Sequence, residues 1–256
     1  ILKLDWQKLF SQCSSEYMYH KTRAIVFHCI KYSETSVIAK IYTEKLGLQS
    51  YMVKGVRAAK SKSKAAMLQP LTLLEMEVSH RENKGLQYIK EFRRGFIYQS
   101  IPFDTLKSTI SLFLLEVISK TIREHEPNEE LFEFLYESFC ALDETETLNP
   151  DFHLIFLLQL SRYLGFAPHG NFSDKNCFFE MSEGVFVTQQ STLNLMDKKE
   201  SALLNDLLQV NLFENSSLKI SRVERKQMIK NLLLYYQLHL ENFSLKSPEI
   251  LEEILD

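Results

Sequence analysis

Glycine is scarce: seven residues in 256, at positions 47, 55, 85, 95, 165, 170 and 184. No G-x-G-x-x-G can be assembled from them, which argues against a Rossmann dinucleotide site. Cysteine is scarcer still, with four residues, Cys13, Cys29, Cys140 and Cys177. None forms a C-x-x-C pair and the spacings fit no zinc module. Cys29 and Cys140 lie in apolar runs and are expected to be buried thiols, and the few cysteines suit a reducing, cytosolic setting. Long hydrophobic runs are missing: charge interrupts every apolar stretch within about 10 residues, where a membrane span needs roughly 20. No H-E-x-x-H, no G-x-S-x-G, no metal-spaced carboxylate cluster and no histidine pair at ligand spacing occurs. The expectation is a protein that is not an enzyme and uses no cofactor and no metal. His153, on an apolar helix, reads as a satisfied packing residue. Residues 1–18 lack the apolar centre of a signal peptide and are expected to be a non-native or disordered extension, with Met18 the natural start.

What is present is ordinary globular material, 45% apolar and 25% charged, with a net charge of −3. That total hides an asymmetry. Tyr19 to Tyr98 carry a net +9 and Gln99 to Asp256 a net −12. A basic N-terminal third joined to an acidic remainder points to a polyanion-binding part and a separate part. The competing reading is that acidic helices only keep the protein soluble.

The basic part has the period of strands. Thr22–Tyr32 is rich in β-branched and aromatic residues. Thr35–Tyr42 alternates, with Val37, Ala39 and Ile41 on one face. Lys45-Leu46-Gly47 is a turn, Leu48–Lys54 a third strand, and Gly55–Gln69 a polar loop. In Leu71–Ser79, Leu74, Met76 and Val78 face in while Glu75 and Glu77 face solvent. Leu86–Ile97 is a long fifth strand. Five strands in about 75 residues, with a long third-to-fourth connection, suit a small closed barrel of the OB type. From Phe103 the period becomes helical: Phe103–Glu126 with Asp104 as N-cap, Asn128–Leu142, and the nearly all-apolar Pro150–Gly165, expected at the middle of a bundle. A hairpin is expected near 177–188, then helices at Lys198–Leu208, Arg222–Glu241 and from Ser247. The fold class is α+β: an N-terminal five-stranded OB-fold barrel, residues 19–98, followed by an α-helical bundle domain, residues 99–256, with a small β-hairpin insertion.

The strongest local signal is the run from Lys54 to Lys64. Lys54, Arg57, Lys60, Lys62 and Lys64 put five cations into eleven residues with no acid. Such a run neutralises phosphates and releases counterions, giving affinity without sequence preference. It superficially resembles a P-loop, but the second glycine is missing, so nucleotide binding is rejected. A solvated basic loop without a partner is the competing reading. The fifth strand adds a second signal. Leu86, Tyr88, Lys90, Phe92, Arg94 and Phe96 share one face by period two, and rings alternating with cations are what single-strand binding uses; Arg93 adds to the positive field. Here the competing reading is a barrel interior whose Lys90 and Arg94 snorkel outwards.

The order of several segments resembles a known family. Thr22-Arg23-Ala24-Ile25-Val26-Phe27 leads to Tyr32-Ser33-Glu34-Thr35-Ser36, then Tyr42-Thr43-Glu44-Lys45-Leu46-Gly47, Val53-Lys54-Gly55-Val56-Arg57 and Leu68-Gln69-Pro70-Leu71. This series, with Leu164-Gly165-Phe166-Ala167-Pro168 further on, resembles the bacterial RecO family of DNA repair proteins. The resemblance implies an OB-fold followed by a helical domain and a non-enzymatic, nucleoid-associated recombination mediator. Such a protein binds single- and double-stranded DNA, anneals complementary strands and helps load RecA onto strands coated by single-strand-binding protein (SSB). Implied partners are RecR and the acidic C-terminal tail of SSB, with RecA engaged indirectly. The DNA-binding role falls on the matched Lys54 and Arg57. Many members carry a four-cysteine zinc module after the Leu-Gly-Phe segment; here that stretch holds Cys177 alone, so 177–188 would be a degenerate module held by packing. The SSB-tail pocket would lie in the helical domain, with Arg123 and Arg162 as candidates for reading the terminal carboxylate. The alternative function is a protein-interaction adaptor whose barrel and helices dock repair proteins, with incidental DNA contact.

Overall fold

The computed structural model describes residues 18–56, 62–81, 84–123, 126–188, 193–214 and 218–246. They divide into two compact units. One runs to Phe96 and includes the segment ending at Asn128; the other comprises Ile97–Arg123 and the chain from Glu129 onward.

The first unit is a closed barrel of β1 (Met18–Lys31), β2 (Val37–Thr43), β3 (Gly47–Val53), β4 (Leu73–His80) and β5 (Gln87–Arg94). The strands run in the order β1-β2-β3-β5-β4, with β3 and β5 parallel and the other pairs antiparallel. This is the OB-fold arrangement. β1 closes the barrel because it is long enough to pair twice, through Met18–Ile25 with β4 and through Ala24–Lys31 with β2. Its register slips between Val26 and His28, a bulge that bends the strand and turns Phe27 outward onto Tyr42, with ring centroids 5.8 Å apart. The interior is filled by the alternating set Ala24, Val26, Val37, Ala39, Ile41, Tyr51, Leu74, Met76 and Val78. At the β2–β3 turn Gly47 takes a φ of 62°, a conformation that costs glycine nothing.

Two expectations change here. The segment between β3 and β4 is not loop throughout: α1 (Lys62–Met67) forms in it. Ala65, Met67 and Leu68 pack against the barrel core, so a short apolar patch pays for one helical turn over the barrel. β5 is also shorter than Leu86–Ile97. Its last backbone bond runs from Gly95 N–H to the Leu73 carbonyl, and β4 has no residue upstream of Leu73 left to pair.

The second unit holds α2 (Thr105–Thr121), α3 (Glu129–Glu144), α4 (Phe152–Tyr163), a three-stranded sheet of β6 (Phe178–Glu180), β7 (Val185–Val187) and β8 (Leu195–Met196), then α5 (Lys198–Leu208) and α6 (Arg222–His239). Asp104 caps α2, accepting from Lys107 N–H at 3.0 Å. α5 and α6 open with capping boxes, Asp197 with Glu200 and Ser221 with Glu224, each satisfying two otherwise orphaned backbone donors. α4 is buried nearly all round and packs against α3, α5 and α6, the central place its composition predicts. The hairpin gains a third strand, β8, which pairs with β6. The expected helix start at Ser247 lies outside the described residues.

The chain entering this unit is held by Asp143, whose carboxylate accepts from the backbone N–H groups of Gln99, Ser100 and Ile101, each at 2.8 Å. Burial raises its pKa, but the three backbone donors outweigh burial and hold it below the ordinary aspartate value. Buried Lys107 completes the knot, donating to Ser100 Oγ and to the carbonyls of Asp143 and Thr145. Cys140 is buried and its thiol pushed up to about 12; Cys29 is only half-buried and pushed up to about 11. His153 departs from expectation. It is fully buried, but neither ring nitrogen has a hydrogen-bond partner among the described residues. Burial, helped by nearby Arg225, pushes its pKa down to about 3, so it packs as a neutral ring.

Candidate nucleic-acid interface

The outer face of β1, β4 and β5 is organised in cross-strand rows. Because Leu74, Met76 and Val78 point inward, Glu75, Glu77 and Ser79 point outward. Register then places Arg23, Glu75 and Arg93 in one row, Lys21, Glu77 and Glu91 in the next, and Tyr19, Ser79 and Tyr88 in the third. A cleft of about 590 Å³ opens over the two charged rows.

Most cations of this face are already paired. Arg93 Nε donates to Glu75 Oε2 at 2.9 Å, and Lys90 Nζ to Glu77 Oε1 at 2.7 Å. Arg23 forks onto Glu44 at 3.2 and 2.9 Å. The Lys90 bond holds Glu77 below the ordinary glutamate pKa and raises that of Lys90, and the Arg23 bond holds Glu44 low. Lys54, at the end of β3, sits 5.8 Å from the centre of the Tyr88 ring. Arg94 is exposed at the end of β5. Neither Lys54 nor Arg94 has an acidic partner among the described residues.

The single face expected on β5 does not form. The β4–β5 register steps from Glu77↔Glu91 to Val78↔Ile89, leaving Lys90 as the extra residue of a bulge. Ile89 and Phe92 therefore both pack on the core, while Tyr88 is turned outward and 46% exposed. Period two cannot be carried through an insertion of one residue. Of the basic run, Arg57 and Lys60 lie outside the described residues, Lys62 opens α1, and Lys64 is exposed on that helix. Glu75 and Glu77, expected as solvent contacts, are ion-pair partners. Tyr19 was missed because the sequence pattern starts the first strand at Thr22, whereas pairing with β4 begins at Met18.

These pairs make a testable prediction. Glu75→Gln and Glu77→Gln free Arg93 and Lys90 for phosphate. At about 0.7 of a log–log slope unit per contact on single strands, each is expected to tighten binding by about fivefold at 0.1 M salt and to steepen the slope by about 0.7. Titration by fluorescence anisotropy at several salt concentrations measures both. Unchanged affinity would mean that Lys90 and Arg93 stand apart from the DNA.

In the second unit Arg162 lines a cleft of about 530 Å³ with Pro168, Phe172, Phe186 and Leu208 as apolar walls and Asn205 and Gln209 beside them. Its guanidinium has no hydrogen bond or ion pair among the described residues. Arg123 is instead tied to the Glu241 carbonyl at 3.1 Å. The sheet near Cys177 does not fit a zinc site: among the described residues no three His, Cys, Asp or Glu side chains gather to hold a metal. Aromatic packing occupies that role. Phe186 meets Phe172 and Phe179 at 5.8 and 5.1 Å, and Phe179 meets Tyr235 at 5.7 Å. Gly184 is required at the turn, because a Cβ there would stand 2.7 Å from Tyr235 Oη. No helix among the described residues is long and apolar enough to cross a membrane.

An OB barrel followed by a helical unit with a small sheet defines a class of two-part proteins built around a barrel. The family profile described as "Recombination protein O N terminal" matches residues 18–94, and "Recombination protein O C terminal" matches residues 102–249. The chain belongs to the RecO family of DNA repair proteins. The DNA repair protein RecO of Christiangramia forsetii is 39% identical over 235 residues, 91% of this chain and 98% of the relative. Those of Phocaeicola vulgatus and Flavobacterium johnsoniae are 36% and 39% identical, over 93% and 91% of this chain and 99% and 98% of their own. Among solved structures, an Entamoeba histolytica asparaginyl-tRNA synthetase overlaps 66% of this chain and 37% of its own with a TM-score of 0.28 at 9% identity, which carries no argument.

Proposed function

We propose that this protein is a non-enzymatic DNA-binding recombination mediator that anneals complementary strands and assists RecA loading onto SSB-coated single strands in the bacterial nucleoid. The observation that carries the reading is that Lys54, with no acidic partner among the described residues, stands beside exposed Tyr88, with Lys64 exposed on α1 further along the same run. Together with Arg57, Lys60 and Lys62 of the same run, these residues are the proposed phosphate contacts, with Lys90, Arg93 and Arg94 on β5 adding to them. Both single and double strands carry the phosphates such contacts need. RecR is the proposed protein partner. The acidic SSB tail is proposed to enter the Arg162 cleft, where a cation flanked by aromatic walls suits a carboxylate on an apolar terminus; Arg123, already bonded, is the weaker of the two candidates.

The test is strand annealing of complementary oligonucleotides, bare and SSB-coated, with binding of a random single strand measured at two salt concentrations. Acceleration on both substrates, with binding that weakens steeply in salt, is expected. A second reading, an adaptor that docks repair proteins, is favoured by the Glu75–Arg93 and Glu77–Lys90 pairs, which neutralise part of the barrel face. Binding that ignores salt, with no annealing, would select it.

A further inference from the structure

We propose that Tyr19 and Tyr88 form a base-stacking platform that makes the barrel prefer single strands over duplex, a proposal that rests on the DNA-binding reading. Tyr19 pairs with Ser79 across β1 and β4, and Ser79 pairs with Tyr88 across β4 and β5. The three side chains therefore stand in one row on the outer face, with the tyrosines two strand spacings apart, about 10 Å. Ser79 points away from the core but is only 8% exposed, and its Oγ donates to the Tyr88 carbonyl. The flanking tyrosines are 59% and 46% exposed. Each ring carries a cation: Lys90 Nζ lies 5.2 Å from the centre of Tyr19, and Lys54 Nζ 5.8 Å from that of Tyr88.

Rings set beside ammonium groups offer two things at once, a π surface for a base and a charge for the adjoining phosphate, a charge that Lys54 offers without an acidic partner among the described residues and that Lys90 shares with Glu77. The rings stand far enough apart to take two different bases. Only an unpaired strand can use them, because the faces of duplex bases are already stacked on one another. When complementary strands anneal, the stacked bases leave the platform, so the duplex product is held by phosphate contacts alone and is released more readily than the substrate.

The test compares the full chain with Tyr19→Ala, Tyr88→Ala, the double variant, and Tyr19→Phe/Tyr88→Phe, on a 20-nucleotide single strand and its duplex. Each alanine is expected to cost about tenfold in single-strand affinity, with duplex affinity and the salt slope unchanged; the phenylalanine variant should bind as the wild type. Single-strand affinity unchanged in the double alanine variant overturns the platform alone. An equal loss on both substrates overturns stacking. A wild type that binds neither substrate at low salt overturns the DNA-binding reading itself. As a measurement independent of the variants' folding, photocrosslinking of a 5-iodouracil strand to the wild type should give adducts at Tyr19 or Tyr88, and adducts only elsewhere refute the platform.

Discussion

Replacing Lys60, Lys62 and Lys64 together by glutamate is expected to weaken single-strand binding by more than about a hundredfold at 0.1 M salt. The arithmetic follows from counterion release. Each lysine that neutralises a phosphate contributes about 0.7 to the log–log salt slope, so five contacts from Lys54, Arg57, Lys60, Lys62 and Lys64 give about −3.5, and removing three flattens it to about −1.4. Neutral glutamine at the three positions should cost about two orders of magnitude at 0.1 M, and glutamate adds repulsion to that. Because phosphate contacts carry no base information, the loss should be the same for unrelated sequences, and about fourfold larger on duplex, where each contact contributes about 0.9 to the slope. Anisotropy titrations from 0.05 to 0.3 M salt read both affinity and slope. Unchanged binding at low salt would remove this segment from the interface and leave β5 and the tyrosine row to carry it.

That contrast with the Tyr19 and Tyr88 variants separates two kinds of contact on one barrel. Loss of charge should flatten the slope on both substrates and leave single strands preferred; loss of the rings should leave the slope and remove that preference. Glu75 and Glu77 sit between the two, since they hold Lys90 and Arg93 in ion pairs that phosphates would have to displace. On the proposed DNA-binding reading, the acids on β4 set how much of the β5 charge a phosphate can reach, without contacting it themselves.

The parts of the fold that repeat were legible in the sequence. Alternation marks β2 and β4 to within two residues, because a strand buried on one face only must alternate. α5 matches Lys198–Leu208 as read, and Asp104 caps α2 as its position suggests, because capping is a local interaction. What escaped depends on partners distant in sequence. The Lys90 bulge exists only relative to β4. β1 begins at Met18 because β4 continues to His80. β8, two residues long, is a strand only because β6 offers it an edge. The same holds for the candidate site. Lys54 and Tyr88 were singled out separately, and the parallel β3–β5 pairing puts them side by side. Tyr19 has no local mark; only cross-strand register gives it a neighbour.

The buried pair under α4 carries the largest stability effect. Asp151, 1% exposed at its side chain, accepts from Arg225 Nε at 2.7 Å, and its other oxygen has no partner among the described residues. Burial raises its pKa above the ordinary aspartate value, more than Arg225 lowers it. His153 beside it in sequence is neutral and makes no hydrogen bond, so Arg225 is the one cation compensating this carboxylate among the described residues. Arg225→Met is expected to cost about 3–5 kcal/mol at pH 7, the usual consequence of leaving one member of a buried pair uncompensated. The sign with pH follows from the direction of the shift. A carboxyl whose folded pKa lies above its unfolded value adds stability that is complete below the unfolded value, about 3.9, and is lost as pH rises through the folded one. Removing Arg225 raises the folded pKa further, so the deficit should be largest at neutral pH and shrink toward pH 5 as Asp151 takes up a proton. Asp151→Asn combined with Arg225→Met should recover much of the loss, since no charge is then buried. Urea unfolding of the wild type and the two variants from pH 5 to 8 measures this; a pH-independent deficit, or a double variant no better than Arg225→Met, would show that Arg225 acts by packing its side chain and by its bond to the Ile220 carbonyl rather than by compensating Asp151.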